Sequence, residues 1–180
     1  MATQVTVASD WLAGCAGCHM SFLDIDERLV ELIGHVTLTS MPITDLKHPA
    51  EGGVDVGILE GAVNNSATER VARLMRQRSR ILIALGDCAV FGGIPTMRNC
   101  ANKEACLKRA YIESESTVDG RIPDDPELAV MQEARPINQV VDVDIYLPGC
   151  PPPADAIFYV LSELLAGRKP KLAGKNLDWH

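Results

Sequence analysis

Aromatic residues are scarce in this chain: Phe, Trp and Tyr make up 4% of its 180 residues, so any core must rest on Val, Ile, Leu and Ala. Basic residues are in the minority too. With 17 Lys and Arg against 24 Asp and Glu, the formal net charge is -7. That balance argues against a nucleic-acid partner, whose phosphates demand a basic face. No apolar run approaches the roughly 20 residues needed to span a bilayer. The opening residues, MATQVTVASDWLAG, lack the basic start and long apolar stretch of a secretory signal, and no twin-arginine pair is present. These absences lead to the expectation of a cytoplasmic protein with no membrane contact. A hydrophobic content of 47% and a charged content of 23% are those of a soluble globular chain, and the length suits one domain over residues 1–180.

Against that background, six cysteines stand out. In a reducing compartment disulfides are rare, and cysteines in Gly-rich turns bind metal or do redox chemistry more often than they cross-link. Where they sit depends on the fold.

Five short apolar runs read as buried parallel strands: Val5–Ser9, His35–Ser40, Val54–Glu60, Arg80–Gly86 and Val141–Leu147. They are nearly continuous rather than alternating, as expected when helices cover both faces of a sheet. Between the first two runs, SFLDIDERLVELIG places Phe22, Ile25, Leu29 and Leu32 at helical spacing, with Gly34 as its stop. After the third run, Ser66 and Glu69 form a candidate capping box, and Arg70, Arg73, Arg76 and Arg78 fall on a solvated helix face. A last helix enters at Pro153 and carries Ile157, Val160, Leu161, Leu164 and Leu165 on one stripe. Strands alternating with helices predict a doubly wound α/β sheet of flavodoxin-like order, 2-1-3-4-5. Residues 96–139 are polar and read as an insertion before the last strand, with weak helices at Lys103–Tyr111 and Glu127–Glu133. Residues 168–180 read as an extended tail, and Trp179 hints at docking either on this chain or on another.

On this fold Cys15 and Cys18 lie in the loop after strand one, Cys88 just beyond strand four and Cys150 directly after strand five. Loops that follow strands in an open parallel sheet emerge on one carboxyl edge, where ligands bind. Four thiolates there suit an iron–sulfur cluster, and Gly14, Gly17, Gly86, Gly92, Gly93 and Gly149 permit the turns that bring N–H groups to sulfur. Other readings stand beside this one. They are a structural zinc, a thioredoxin-type Cys15/Cys18 pair, and inert buried thiols. Cys100 and Cys106, in the polar insertion, are expected to be ordinary reduced thiols.

WLAGCAGCHMSFLD, ILEGAV, LGDCAVFGGIP and LPGCPPPAD together resemble, in the same order, the motifs of the small subunit of nickel–iron hydrogenases, above all the soluble bidirectional NAD-reducing type. The related complex I subunit typically has an adjacent Cys-Cys pair where this chain has Cys-Ala-Gly-Cys. The resemblance implies a [4Fe-4S] cluster on Cys15, Cys18, Cys88 and Cys150 and no catalytic residue in this chain. It implies a large-subunit partner carrying the nickel–iron centre and a diaphorase partner with flavin and clusters. Because no cysteine follows Cys150, one cluster is expected. Glu60 matches the glutamate of the family's EG motif and is a candidate for tuning the cluster or for accessory ligation, against a solvated or capping role. His19 is a candidate donor to a sulfide, against a role supporting the ligands from behind or one at the surface, and Asp87 a turn cap. FMN is the other cofactor the fold suggests, but the Trp11–Ser21 loop lacks the usual phosphate donors.

Overall fold

Runs of Val, Ile and Leu bounded by glycines dominate the architecture, a sheet buried on both faces. The computed structural model describes residues 4–47 and 49–174. Trp179 therefore lies outside the described residues. In chain order the elements are β1 (Val5–Trp11), α1 (Gly17–Leu23), α2 (Glu27–His35), β2 (Val36–Ser40), β3 (Val54–Glu60), β4 (Val63–Asn65), α3 (Ser66–Arg78) and β5 (Ser79–Leu85). There follow α4 (Asp87–Phe91), a 3-10 turn at Ile94–Cys100, α5 (Lys103–Tyr111), β6 (Met131–Arg135), a second 3-10 turn at Ile137–Gln139, β7 (Ile145–Leu147) and α6 (Ala154–Leu165).

The main sheet is parallel throughout, with order β2-β1-β3-β5-β7. Counting only its own strands, that is the expected 2-1-3-4-5. Successive residues of β5 serve opposite faces: Ile83 and Leu85 pack with α1, α2 and α6, whereas Leu82 and Ala84 pack with α3 and α4. Arg28 ties α2 to α6 by a 2.8 Å bond to Asp155 and by stacking over Phe158 at 4.7 Å.

Several local expectations need correction. The helix expected between the first strands is two helices, because Asp26 takes φ +59 and breaks the run where Ile25 drops into the core. Gly34 stops nothing; α2 continues through His35 and passes directly into β2. The capping box on α3 belongs to Asn65 and Thr68, one residue earlier than read. Glu69 instead binds Arg73 and Arg135. The arginine face is largely engaged as well: Arg76 holds Asp144 at 2.5 Å, and Arg78 donates to the Pro49 carbonyl. The last strand is shorter than Val141–Leu147, since Val140 closes a 3-10 turn and only Ile145–Leu147 pairs with β5.

The insertion contains the expected α5. The segment expected to be helical at 127–133 ends instead in β6, which pairs antiparallel with β4 in a small second sheet. Asn99 fastens the insertion to that sheet by bonds to both the carbonyl and the N–H of Ala134.

Candidate metal centre

Four loops leave the carboxyl ends of β1, β3, β5 and β7, and backbone bonds join them in pairs. Leu12 donates to Glu60, and Ala13 and Ala62 exchange N–H···O bonds of 2.9 and 2.8 Å, which fastens the β1 loop to the β3 loop. The β5 loop is held to the β7 loop by Gly86 donating to Leu147 at 2.7 Å and Asp87 donating to Gly149 at 2.9 Å. The Asp87 carboxylate then accepts the Gly149 N–H at 2.8 Å, closing a reciprocal clamp. Ser21 of α1 donates to the Pro152 carbonyl at 2.6 Å and links the first loop to the last.

All four predicted ligands lie on these clamped loops or in the first turn of the helices that directly follow them. Cys15 is exposed on the β1 loop; Cys18 is buried within the first turn of α1. Cys88 is half-buried inside α4 rather than in a loop, and Cys150 is exposed three residues beyond β7. Burial pushes the Cys18 thiol up, and the charges of Glu60, Cys15, Cys88 and Cys150 push it further. Cys88 is raised by burial too, against the N–H of Ile94 that donates to it. Thiols that oppose one another's ionisation need a cationic group between them to become thiolates. Cys100, at the end of a 3-10 turn, and Cys106, on α5, lie in the insertion outside the clamped loops.

Two glycines leave room for the sulfurs of Cys18 and Cys88. Gly86 has φ +84, and a Cβ there would stand 2.2 Å from the Cys18 sulfur. Gly93 has φ +46, and its Cβ would stand 2.9 Å from the Cys88 sulfur. The Gly17 N–H already donates to Cys15 at 3.4 Å, the kind of N–H···S contact that tunes cluster potentials. Among the described residues, no three His, Cys, Asp or Glu side chains close up tightly enough to hold a single metal ion. That is not the arrangement of a structural zinc, whose thiolates meet about 2.3 Å from one centre. The four thiols are near enough to act on one another's ionisation, and four cysteines are the donor set an iron–sulfur group takes.

Glu60 sits where β3 ends, between the ends of β1 and β5, and is only 2% exposed. A solvated carboxylate is thus ruled out. Its Oε1 accepts the Cys18 N–H at 3.3 Å, while Oε2 accepts the His19 N–H at 2.9 Å and contacts His19 Nδ1 at 2.6 Å. Burial pushes the Glu60 carboxyl up, but the bonds from the His19 ring and backbone outweigh it and hold the group below its ordinary range. His19, read as a sulfide donor, a support behind the ligands or a surface residue, is buried, with Trp11 edge-on at 5.7 Å, which excludes the surface role. Among the described residues its Nε2 has no hydrogen-bond partner. The N–H groups of Cys18 and His19 are both engaged by Glu60.

A family model described as NADH ubiquinone oxidoreductase, 20 Kd subunit, matches residues 15–164. The chain belongs to this family. Within the 20 Kd subunit family its relatives include the NAD-reducing hydrogenase HoxS subunit delta of Cupriavidus necator, 40% identical over 169 residues, covering 92% of this chain and 80% of the relative. Another is the iron-sulfur subunit of the F420-non-reducing hydrogenase of Archaeoglobus profundus, 33% identical over 177 residues, covering 88% of this chain and 55% of the relative. The chain thus spans about half the length of that second relative. Among solved structures, a chain of an NAD+-reducing [NiFe]-hydrogenase in the H2-reduced state superposes with TM-score 0.93 at 41% identity, covering 99% of this chain and 100% of that one. The likeness to hydrogenase small subunits carried by the four motifs is borne out by these members of the 20 Kd subunit family.

Proposed function

We propose that this chain is the electron-relaying small subunit of a nickel–iron hydrogenase, holding one [4Fe-4S] cluster on Cys15, Cys18, Cys88 and Cys150. The observation that supports the reading is the clamped carboxyl edge, where loops fastened pairwise bring four thiols near enough to act on one another's ionisation. When bound, the cluster supplies a one-electron site. The chain's own part is to hold that site still and exclude water from its inner side. Glu60 does so by anchoring the Cys18 and His19 N–H groups, and with both oxygens engaged it acts as a positioning group rather than an iron ligand.

Two partners complete the reading. One is a large subunit carrying the nickel–iron centre; the other is a diaphorase module with flavin and clusters, which reduces NAD. Phe91, Ile94 and Met97 stand exposed just beyond Cys88, which supports the carboxyl edge as the face that meets the large subunit. Among the described residues no helix is long and apolar enough to cross a membrane, in keeping with a cytoplasmic complex.

The deciding experiment is anaerobic purification of the native complex with iron and acid-labile sulfide analysis, electron paramagnetic resonance after reduction, and identification of the co-purifying chains. About four irons per chain, a reduced [4Fe-4S] signal and a nickel-bearing partner are expected; iron and sulfide near zero in a matured sample would overturn the reading. The family's description favours a second reading, a cluster subunit of a complex I-like oxidoreductase. Co-purification with quinone-reductase subunits and no nickel would decide for it. For Glu60, unchanged spectra and redox behaviour in Glu60→Gln would remove any role at the cluster.

A further inference from the structure

Between the sheet and helices α1, α2 and α6 lies a cavity of about 50 Å³. On the same measure, roughly 10–15 Å³ is enough to admit a water molecule, so this space exceeds a packing defect. Val5, Val7 and Ser9 lie on one face of β1 by strand alternation, and all three line it. The cavity therefore follows β1 from the amino edge of the sheet toward the carboxyl edge. There its wall includes His19, the neighbour of Cys18 in sequence.

The chemistry of the wall is one-sided. Apart from Ser9 and His19 it consists of Val, Leu, Ile, Met and Phe. A charged or strongly hydrogen-bonding guest would be stripped of water with almost nothing in return. Water itself wants two to four polar partners, and only the Ser9–His19 end has any to offer. Ser9 Oγ and His19 Nε2 are both buried without a partner among the described residues, so even that end is not engaged with them. Apolar cavities of this kind stay dry and accept small apolar guests such as xenon.

From the volume and the almost wholly apolar lining, we infer that this cavity binds small uncharged apolar molecules of gas size. The inference stands apart from the electron-relay reading, because it needs neither the cluster nor a partner.

Xenon is the probe. Crystals of the purified complex equilibrated with xenon under pressure should show its density against Val7, Ile58 and Ile157, and xenon magnetic resonance in solution should report uptake. Leu161→Phe and Ile157→Phe each put a ring into the space and should lower uptake about tenfold while leaving iron content unchanged. If neither folds, Val7→Ile adds one methyl group and should give a smaller but definite reduction. Xenon bound elsewhere in the crystal but absent from the cavity would overturn the inference. So would ordered water along its whole length, or a folded filling variant that takes up as much xenon as the parent.

Discussion

Glu60 and His19 meet twice, the carboxylate Oε2 lying 2.6 Å from the ring Nδ1 and 2.9 Å from the backbone N–H of the same residue. Through its other oxygen Glu60 also holds the N–H of Cys18. One buried side chain thus sets the position of a predicted ligand and of the histidine behind it. Glu60→Ala should cost about 3 kcal/mol, the upper end of what an unsatisfied buried polar group costs, because three donors lose their acceptor. Urea unfolding of the metal-free chain measures this directly. Glu60→Asp, one methylene shorter, should fall between the two.

Gly86 faces the Cys18 sulfur with no room for a Cβ. Gly86→Ala combines a backbone conformation essentially open to glycine alone, φ +84 with ψ 166, costing about 1–3 kcal/mol, with a 2.2 Å approach that must move the sulfur. The expected outcome is a chain that still folds but retains less than half the parent's iron after chelator challenge. Full retention would mean that the Cys18 sulfur has freedom to move that the packing does not suggest.

The clamp between the β5 and β7 loops rests on Asp87. Asp87→Ala removes the acceptor for the Gly149 N–H, while the backbone bond from Asp87 to Gly149 survives. About 1 kcal/mol of stability should be lost. A larger effect is expected on the rate of iron release, because Cys88 and Cys150 are then held to one another by the backbone bonds alone. Stopped-flow chelation follows that rate.

Thiol substitutions should divide into two groups. Cys15→Ser, Cys18→Ser, Cys88→Ser and Cys150→Ser should each abolish or convert the cluster signal. Cys100→Ser and Cys106→Ser, on the insertion, should leave it unchanged in the paramagnetic spectrum.

Stability should fall in acid partly through Asp55. Its carboxyl accepts the N–H and hydroxyl of Thr6 and a bond from Arg80, and these hold it below the ordinary carboxylate range. A carboxyl that ionises more readily in the folded chain stabilises it fully above the unfolded value near 4. That contribution is lost as pH drops through the lowered folded value. Between pH 6 and pH 3 the urea midpoint of the parent should therefore fall more steeply than that of Asp55→Asn.

Much of the fold was legible because buried parallel strands announce themselves as short apolar runs. The second sheet was not. MQEAR, at 131–135, is made of good helix formers, and its strand state comes from pairing with Val63–Asn65, a partner distant in sequence. The break at Asp26 was hidden for a related reason, since helical periodicity runs straight through it. At the site, cysteines in Gly-rich turns were plain to read. The burial of Glu60 and His19 was not, because the N–H groups that engage the carboxylate lie 42 and 41 residues earlier. A polar residue that closes a strand reads as solvated until its partners are known. Asp87 could be read as a turn cap, but not as a link to Gly149, which lies on a different strand's loop.

The Asp87–Gly149 clamp also bears on biosynthesis. Its two halves are translated 62 residues apart, and the last thiol directly follows the second half. A nascent chain that has emerged only as far as α4 carries three of the four thiols and half a clamp, so it offers no finished site to load. On the proposed reading, cluster insertion waits until Cys150 has left the ribosome and β7 has found its place beside β5.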